Sequence, residues 1–278
     1  MNAWPRISII TPSFNQAAFI EKTIQSVLSQ NYSNLEYIII DGGSTDGSVD
    51  IIKKYADKLS YWISEKDNGQ ANAINKGFCK ATGDIIGWLN SDDEYCPDTL
   101  KTVAQTFMAD KDLDLVFGNR LTVDISNKLI RDDRHTRFTF PSLVIYGMII
   151  SQPAAFWKRQ LIEKFGYLDE SLRFAMDYEF FCRIGAYIKT RHIRKHFAKF
   201  RWHQTSKTRT IIDIAKIEHQ QISHKYMQSV CKGWPVNLVK LKIFAQRTWW
   251  YTIQGDALYV LKGIIRRLLP KKFRRDWM

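Results

Sequence analysis

Residues 90–94 read Asn-Ser-Asp-Asp-Glu and directly follow the apolar run Ile85-Ile86-Gly87-Trp88-Leu89. Neighbouring carboxylates at Asp92 and Asp93 repel each other and raise each other's pKa unless a cation sits between them. A divalent metal held by oxygen ligands and bridging to a phosphate satisfies such a pair. A solvated loop capping a helix near Pro97 satisfies it too, so spacing alone leaves both readings open. A second acidic strip, Asp177 and Glu179, precedes an apolar helical run. A carboxylate at a helix N-terminus is kept ionised by the dipole and can take a proton from a hydroxyl as a general base. Helix capping is the alternative at that position. His203 offers a neutral imidazole to a metal, or is an ordinary surface or core histidine.

Three further loops carry polar groups. Asp41 precedes Gly42-Gly43, where glycine allows a ligand close to the backbone. Its carboxylate either accepts hydrogen bonds from a base or ribose or closes an Asx-turn. Thr11-Pro12-Ser13 ends a strand on the same side. In Lys66-Asp67-Asn68-Gly69-Gln70, Lys66 either pairs with a phosphate or is a solvated lysine.

The elements that must position these loops follow from periodicity. Ile7-Ser8-Ile9-Ile10 and Tyr37-Ile38-Ile39-Ile40 predict strands. Phe19/Ile20, Ile24 and Val27/Leu28 fall at helical spacing and predict a helix over 17–30. Further strands are predicted at 60–63, 85–89 and 113–117, with helices near Val49 to Tyr55, over 69–81 and over 97–108. Strand and helix alternating at this spacing imply right-handed βαβ units and a parallel sheet. The pattern changes after Leu121: Leu121-Thr122-Val123 and Lys128-Leu129-Ile130 flank Ser126-Asn127 as a hairpin. Phe156-Trp157 returns to the sheet, 158–165 is a short helix, and a helix holds or follows Asp177. Two short strands are expected at 191–193 and 197–202, and a basic helical segment from Ile211 onward.

Charge divides the chain. Residues 1–188 hold 20 Lys+Arg against 24 Asp+Glu (net −4), whereas 189–278 hold 21 against 4 (net +17). This implies an acidic or neutral body and a basic end that meets an anionic surface. Cys79, Cys96, Cys182 and Cys231 have no paired metal-ligand spacing and are expected to be reduced thiols of a cytoplasmic protein. No signal peptide is expected from residues 1–15, and no spanning helix from the apolar runs.

Taken in order, ISIITPSFN, YIIIDGGSTDGS, SEKDNGQANAINKGF, GDIIGWLNSDDEY and FAMDYEFFCRI resemble the family 2 inverting glycosyltransferases with the GT-A fold. The resemblance covers roughly residues 6–205. It implies an α/β fold with a Rossmann-like mixed, mainly parallel sheet flanked by helices. A catalytic domain over 1–208 and a basic helical C-terminal extension over 209–278 follow. It also implies a nucleoside-diphosphate-sugar donor and single-displacement transfer to an acceptor hydroxyl. By the same resemblance, Thr11, Pro12, Ser13, Asn15, Asp41, Lys66, Asp67, Asn90, Ser91 and Asp92 meet the nucleotide sugar. Asn90-Ser91-Asp92 stands where the family carries Asp-x-Asp, as in a branch with an Asn-Ser-Asp-Asp signature. Asp92, Asp93 and His203 would hold Mn²⁺ or Mg²⁺, and Asp177 would be the catalytic base. Met176 replaces the Glu that the family commonly places before that base.

The implied partners are a donor, with UDP the default nucleotide, and a saccharide or lipid-linked saccharide acceptor in cell-surface polysaccharide or glycolipid synthesis. Trp249-Trp250-Tyr251, Leu258, Leu261, Ile264 and Leu268, followed by Arg266, Arg267, Lys271, Lys272, Arg274 and Arg275 with Phe273 and Trp277, suit an anionic membrane interface. That places the chain peripherally on the cytoplasmic face of the inner membrane. A helical hairpin packed on the body, or an oligomer contact, are the alternatives for this end. Two other functions stay open: a non-catalytic sugar-nucleotide sensor, and a basic nucleic-acid-binding module. No nucleic-acid motif accompanies the latter.

Overall fold

The computed structural model describes residues 4–268. Its first half alternates β1 (Ile7–Ser13), α1 (Ile20–Leu28), β2 (Leu35–Asp41), α2 (Ser48–Lys53), β3 (Tyr61–Ser64), α3 (Gln70–Lys80) and β4 (Ile85–Trp88). β-branched and aromatic residues fill the strands because they pack well on a pleated surface. β1, β2 and β4 are buried at nearly every position, as parallel strands covered by helices on both faces must be. Ile10, Ile38, Ile40, Ile86 and Trp88 enter one core, while Ile7, Ile9, Ile39 and Ile85 enter the other. The two-residue pleat dictates that alternation.

β2 and β4 both run parallel to β1, one on each side of it. The winding of the chain therefore reverses beside β1. Open α/β sheets receive ligands at the carboxyl ends of strands at such a reversal.

The later strands are mostly antiparallel. β5 (Glu94–Tyr95), α4 (Thr99–Ala109), β6 (Leu115–Val123), β7 (Leu129–Asp133), α5 (Phe140–Tyr146), β8 (Ala155–Lys158), α6 (Gln160–Phe165), α7 (Met176–Ile184) and β9 (Thr190–Arg201) follow in order. β8 lies antiparallel between β4 and β6. Gly87 permits this, since a Cβ there would meet the Phe156 ring at 2.7 Å. The expected hairpin forms from β6 and β7.

Two expectations change. The short strands expected at 191–193 and 197–202 are one continuous strand, β9, running parallel to β6. Exposed Arg194 and Lys195 do not end it, because a register shift opposite Asn119 lets the ladder continue through them. Residues 94–95, expected within a loop, form β5 and pair with Ala198 and Lys199 of β9.

After β9 come α8 (Lys207–Thr210), α9 (Ile212–Cys231), α10 (Val236–Ile253) and α11 (Ala257–Leu268). α9 packs against α5 and α7 and buries Ile222 in the larger core. Ser223 Oγ donates to the Val144 carbonyl at 2.9 Å. The Tyr251 hydroxyl donates to the Arg134 carbonyl at 3.1 Å, and Asp256 pairs with the Arg134 guanidinium at 2.5 Å. Among the described residues no helix is long and apolar enough to cross a membrane. The expected cluster of Arg266, Arg267, Lys271, Lys272, Arg274 and Arg275 with Phe273 and Trp277 lies outside the described side chains.

Candidate active site

The loop after β4 is fixed from both sides. Asn90 Oδ1 accepts from Trp88 Nε1 at 2.8 Å and from Gln70 Nε2 at 2.9 Å. Thr23 Oγ1 of α1 lies 2.9 Å from the Ser91 carbonyl and 2.7 Å from the Asp93 carbonyl. Arg201, almost wholly buried at the end of β9, donates Nε to the Asp92 carbonyl at 3.1 Å and pairs with Glu94. Its guanidinium also lies over the Phe19 ring. A buried guanidinium is tolerated only with such a full set of acceptors.

The adjacent acids part company. Asp92 keeps a partly exposed carboxylate, whose Oδ2 lies 2.9 Å from His203 Nε2. His203 Nδ1 meets Thr205 Oγ1 at 2.9 Å, and the ring packs 4.7 Å from Phe19. This brings together two expected metal ligands separated by more than a hundred residues. The third, Asp93, turns inward instead and is 0% exposed. Its Oδ1 accepts from the Arg201 backbone N–H at 3.0 Å, and Oδ2 has no partner. Burial, with Asp92 beside it, pushes the Asp93 carboxyl well above the usual carboxylate range. Its carboxyl is therefore not presented on the side where Asp92 and His203 meet. The Arg201 N–H, at the end of β9, is what holds Asp93 inward.

Asp92 and His203 supply one hard oxygen and one borderline nitrogen, a donor set that Mn²⁺ or Mg²⁺ accepts when phosphate and water complete the shell. Among the described residues no group of three His, Cys, Asp or Glu side chains is arranged to hold a metal.

The expected nucleotide loops fall into an inner and an outer set. Thr11 and Pro12 are buried within β1, and Thr11 Oγ1 meets the Tyr37 hydroxyl at 3.2 Å. Asp41 forms the Asx-turn: Oδ2 accepts from Gly43 N at 3.1 Å, Ser44 N at 2.8 Å and Ser64 Oγ at 2.7 Å. Ser44 Oγ takes the other oxygen at 2.5 Å. Asp41 thus shapes its loop with oxygens already engaged. Asn15, at φ 51, accepts from Thr45 N at 3.0 Å and ties the first loop to the second. Ser13 keeps a buried hydroxyl with no protein partner. A Cβ on Gly42 would strike Asp67 Oδ2 at 2.5 Å, so glycine lets the third loop close over the second. Asp67 Oδ1 accepts from Gly69 N at 2.8 Å, and Lys66 is exposed beside it.

Asp177 stands in the first turn of α7. Burial pushes its carboxyl up to about 6, opposed by the Tyr178 N–H, which donates to Oδ1 at 2.8 Å, and by the positive fields of His219 and Arg120. Arg120 also acts on Asp93. It is seated by Asp133 at 3.2 Å and by the Phe200 ring.

Lys207, Arg120 and Arg201 belong to the site although no motif singled them out, and Gln70, read only as part of a polar stretch, joins them. Lys207 Nζ donates to Gln70 Oε1 at 2.8 Å and lies 3.4 Å from the Arg173 carbonyl. Burial and the Arg173 charge lower its pKa. Asn90, Gln70, Lys207 and Arg173 thus form one chain of contacts from the loop after β4 to the segment before Asp177. A basic residue four positions after His203 was the available signal for Lys207, and it was absorbed into the general positive charge of the C-terminal third.

Residues 8–201 match the family described as Glycosyl transferase family 2. An uncharacterized glycosyltransferase of Nostoc sp. is 35% identical over 129 residues, which cover 43% of this chain and 40% of that protein. The chain thus spans less than half the length of that relative. S. aureus TarS in complex with UDP-GlcNAc shares the fold with a TM-score of 0.62 at 17% identity, over 97% of this chain and 85% of that one. The mannosyltransferase PcManGT of Pyrobaculum calidifontis, in complex with GDP-Man and Mn²⁺, aligns with a TM-score of 0.55 at 16% identity, over 97% and 89%. With more than half its length matched and its sheet shared with these GT-A structures, the chain belongs to glycosyl transferase family 2 and is a glycosyltransferase.

Proposed function

We propose that this glycosyltransferase moves a sugar, with inversion, from a nucleoside-diphosphate sugar to an acceptor hydroxyl, using Asp177 as general base. One observation carries the reading: a half-buried carboxyl at the start of α7, raised to about 6, whose preceding segment is joined through the Arg173 carbonyl, Lys207 and Gln70 to Asn90 of the loop after β4. Such a group is mostly ionised at neutral pH yet basic enough to draw a proton from a hydroxyl as the bond to C1 forms. Single displacement places this base on the face of the sugar opposite the leaving diphosphate.

On the donor side, Ser13, Asn15, Asp67 and the turn shaped by Asp41 receive the nucleoside, while Asn90, Ser91 and Asp92 face the diphosphate. Lys66 and Lys207 supply positive charge near the same group. Asp92 and His203 would hold Mn²⁺ or Mg²⁺, which would offset the negative charge of the departing nucleoside diphosphate. UDP is the preferred nucleotide, supported by the UDP-GlcNAc complex of the S. aureus relative.

The acceptor is a saccharide or lipid-linked saccharide destined for cell-surface polysaccharide or glycolipid. The outward stripe of α10 supports a lipid surface nearby: Leu238, Leu241, Trp249 and Ile253 are each more than half exposed, beside Lys240 and Lys242. Apolar groups among cations suit the interface of an anionic leaflet, on the cytoplasmic face.

Release of nucleoside diphosphate from a panel of nucleotide sugars, with Mn²⁺ and candidate acceptors, tests the reaction. Full activity in Asp177→Asn refutes the base. Flotation with anionic liposomes tests the surface, and absence of binding by the intact chain rejects it.

A further inference from the structure

α7 presents Asp177 but lacks a cap of its own. Its N-cap residue, Ala175, has no side chain able to accept a hydrogen bond. The first turn of a helix carries N–H groups that must find acceptors elsewhere. The three N–H groups that lead into that turn find theirs in Glu218, a buried residue of α9. Its Oε1 accepts from Arg173 N at 2.8 Å, and its Oε2 accepts from Phe174 N at 2.9 Å and Ala175 N at 2.7 Å. The last of these three lies two residues before Asp177.

The next residue grips the other side of the base. The His219 ring stacks on Tyr178, centroids 4.7 Å apart and planes 16° apart. Its Nδ1 lies 2.8 Å from the Ala215 carbonyl. A carbonyl only accepts, so Nδ1 carries the proton and the ring is held in one orientation. Glu218 and His219 thus contact the chain immediately before and after Asp177. Both lie beyond residues 8–201, the part shared with the family.

We infer that Glu218 is a positioning residue for the transfer reaction: its carboxylate pins the segment that enters α7 and so sets the carboxylate of Asp177 against the acceptor hydroxyl. It touches no reacting atom. This rests on the reading of Asp177 as the base, and the test separates the two. Charge-assisted bonds from three backbone groups to one carboxylate define a geometry that an amide cannot reproduce, because its NH₂ has no lone pair to offer.

Kinetics of Glu218→Gln, Glu218→Ala and Glu218→Asp, with Asp177→Asn alone and combined with Glu218→Gln, decide the matter. Glu218→Gln is expected to lower kcat about 10- to 100-fold, as a displacement near 1 Å does. The donor KM and nucleoside-diphosphate affinity should stay within about twofold, and Glu218→Asp should recover part of the loss. In the Asp177→Asn background, Glu218→Gln should lower the residual rate no further, since residues acting as one unit are not additive. Wild-type kcat in a folded Glu218→Gln protein overturns the inference. So does a raised donor KM at unchanged kcat, or a further fall in the double variant, which marks a general structural lesion. If Asp177→Asn itself retains full activity, the base assignment fails instead. Should Glu218→Ala not fold, Glu218→Gln, with its volume preserved, still gives the answer.

Discussion

The carboxylate of Asp92 and the imidazole of His203 meet at 2.9 Å, Oδ2 to Nε2, although one follows β4 and the other follows β9. His203 is oriented in turn by Thr205 and Phe19. Ligands fixed this way bind metal more tightly than mobile ones, and loss of an orienting contact typically costs about 10–100-fold in affinity or activity. EDTA should abolish transfer, and Mn²⁺ or Mg²⁺ should restore it. His203→Ala should raise the Mn²⁺ concentration for half-maximal turnover at least tenfold, read from a metal titration. Undiminished turnover after thorough chelation would remove the metal from the mechanism.

If Asp177 is the base, as proposed, the rate should show an acid limb. With the carboxyl at about 6, kcat/KM should fall tenfold per pH unit below that value and level off above it. Asp177→Asn should lose about 10²–10⁴-fold at pH 7.5. A pH–rate profile of wild type and variant checks both statements.

The same raised pKa predicts an opposite effect on stability. Unfolded Asp ionises near 3.9, so between that value and about 6 the folded chain holds a proton that the unfolded chain has released. Stability from this group is therefore full below the lower value and lost as pH rises through the upper one. Asp177→Asn should melt above wild type at pH 7.5, and the difference should close toward pH 4. Thermal scans across that window show it.

Arg201→Met removes a buried cation from Glu94, the Asp92 carbonyl and the Asp124 carbonyl. Breaking a buried pair from one side typically costs about 3–5 kcal/mol. Urea denaturation should show a loss of that size, and Arg201→Met, Glu94→Leu should recover part of it. If the single variant is as stable as wild type, Arg201 does not anchor the loop.

Lys207 spans Gln70 and the Arg173 carbonyl with its ammonium drawn out of water, while the side chain as a whole stays exposed. Lys207→Met should leave the melting temperature nearly unchanged, because exposed polar contacts contribute little. Donor KM should rise about tenfold, roughly the 1.4 kcal/mol of one charge-assisted bond. Initial rates against donor concentration measure it.

Much of this was legible in the residues. The runs at Ile7, Tyr37 and Ile85 fix strands whose ends carry Ser13, Asp41 and Asn90, because β-branched stretches and the polar loops after them are local signals. Asp177 before an apolar helical run is legible for the same reason. The orientation of Asp93 is not, since it depends on the Arg201 N–H from a strand more than a hundred residues away. Asp41 showed both its possibilities, and Ser64 from the next strand helps hold the turn. Lys207 and Glu218 were hidden because their partners are backbone groups and a glutamine in distant segments, which leave no periodic trace. β9 was read as two strands because Arg194 and Lys195 look like a break until β6 is beside them.

Ribosomes deliver a chain from its N-terminus, and the contacts of Glu218 reach back more than forty residues. The loop after β4 gains its Arg201 and His203 partners only once residues 201–203 have emerged. The segment that enters the helix bearing Asp177 gains Glu218 later still, when α9 has been translated. Both halves of the site thus wait on the last third of the chain, and the side presenting Asp177 is completed last.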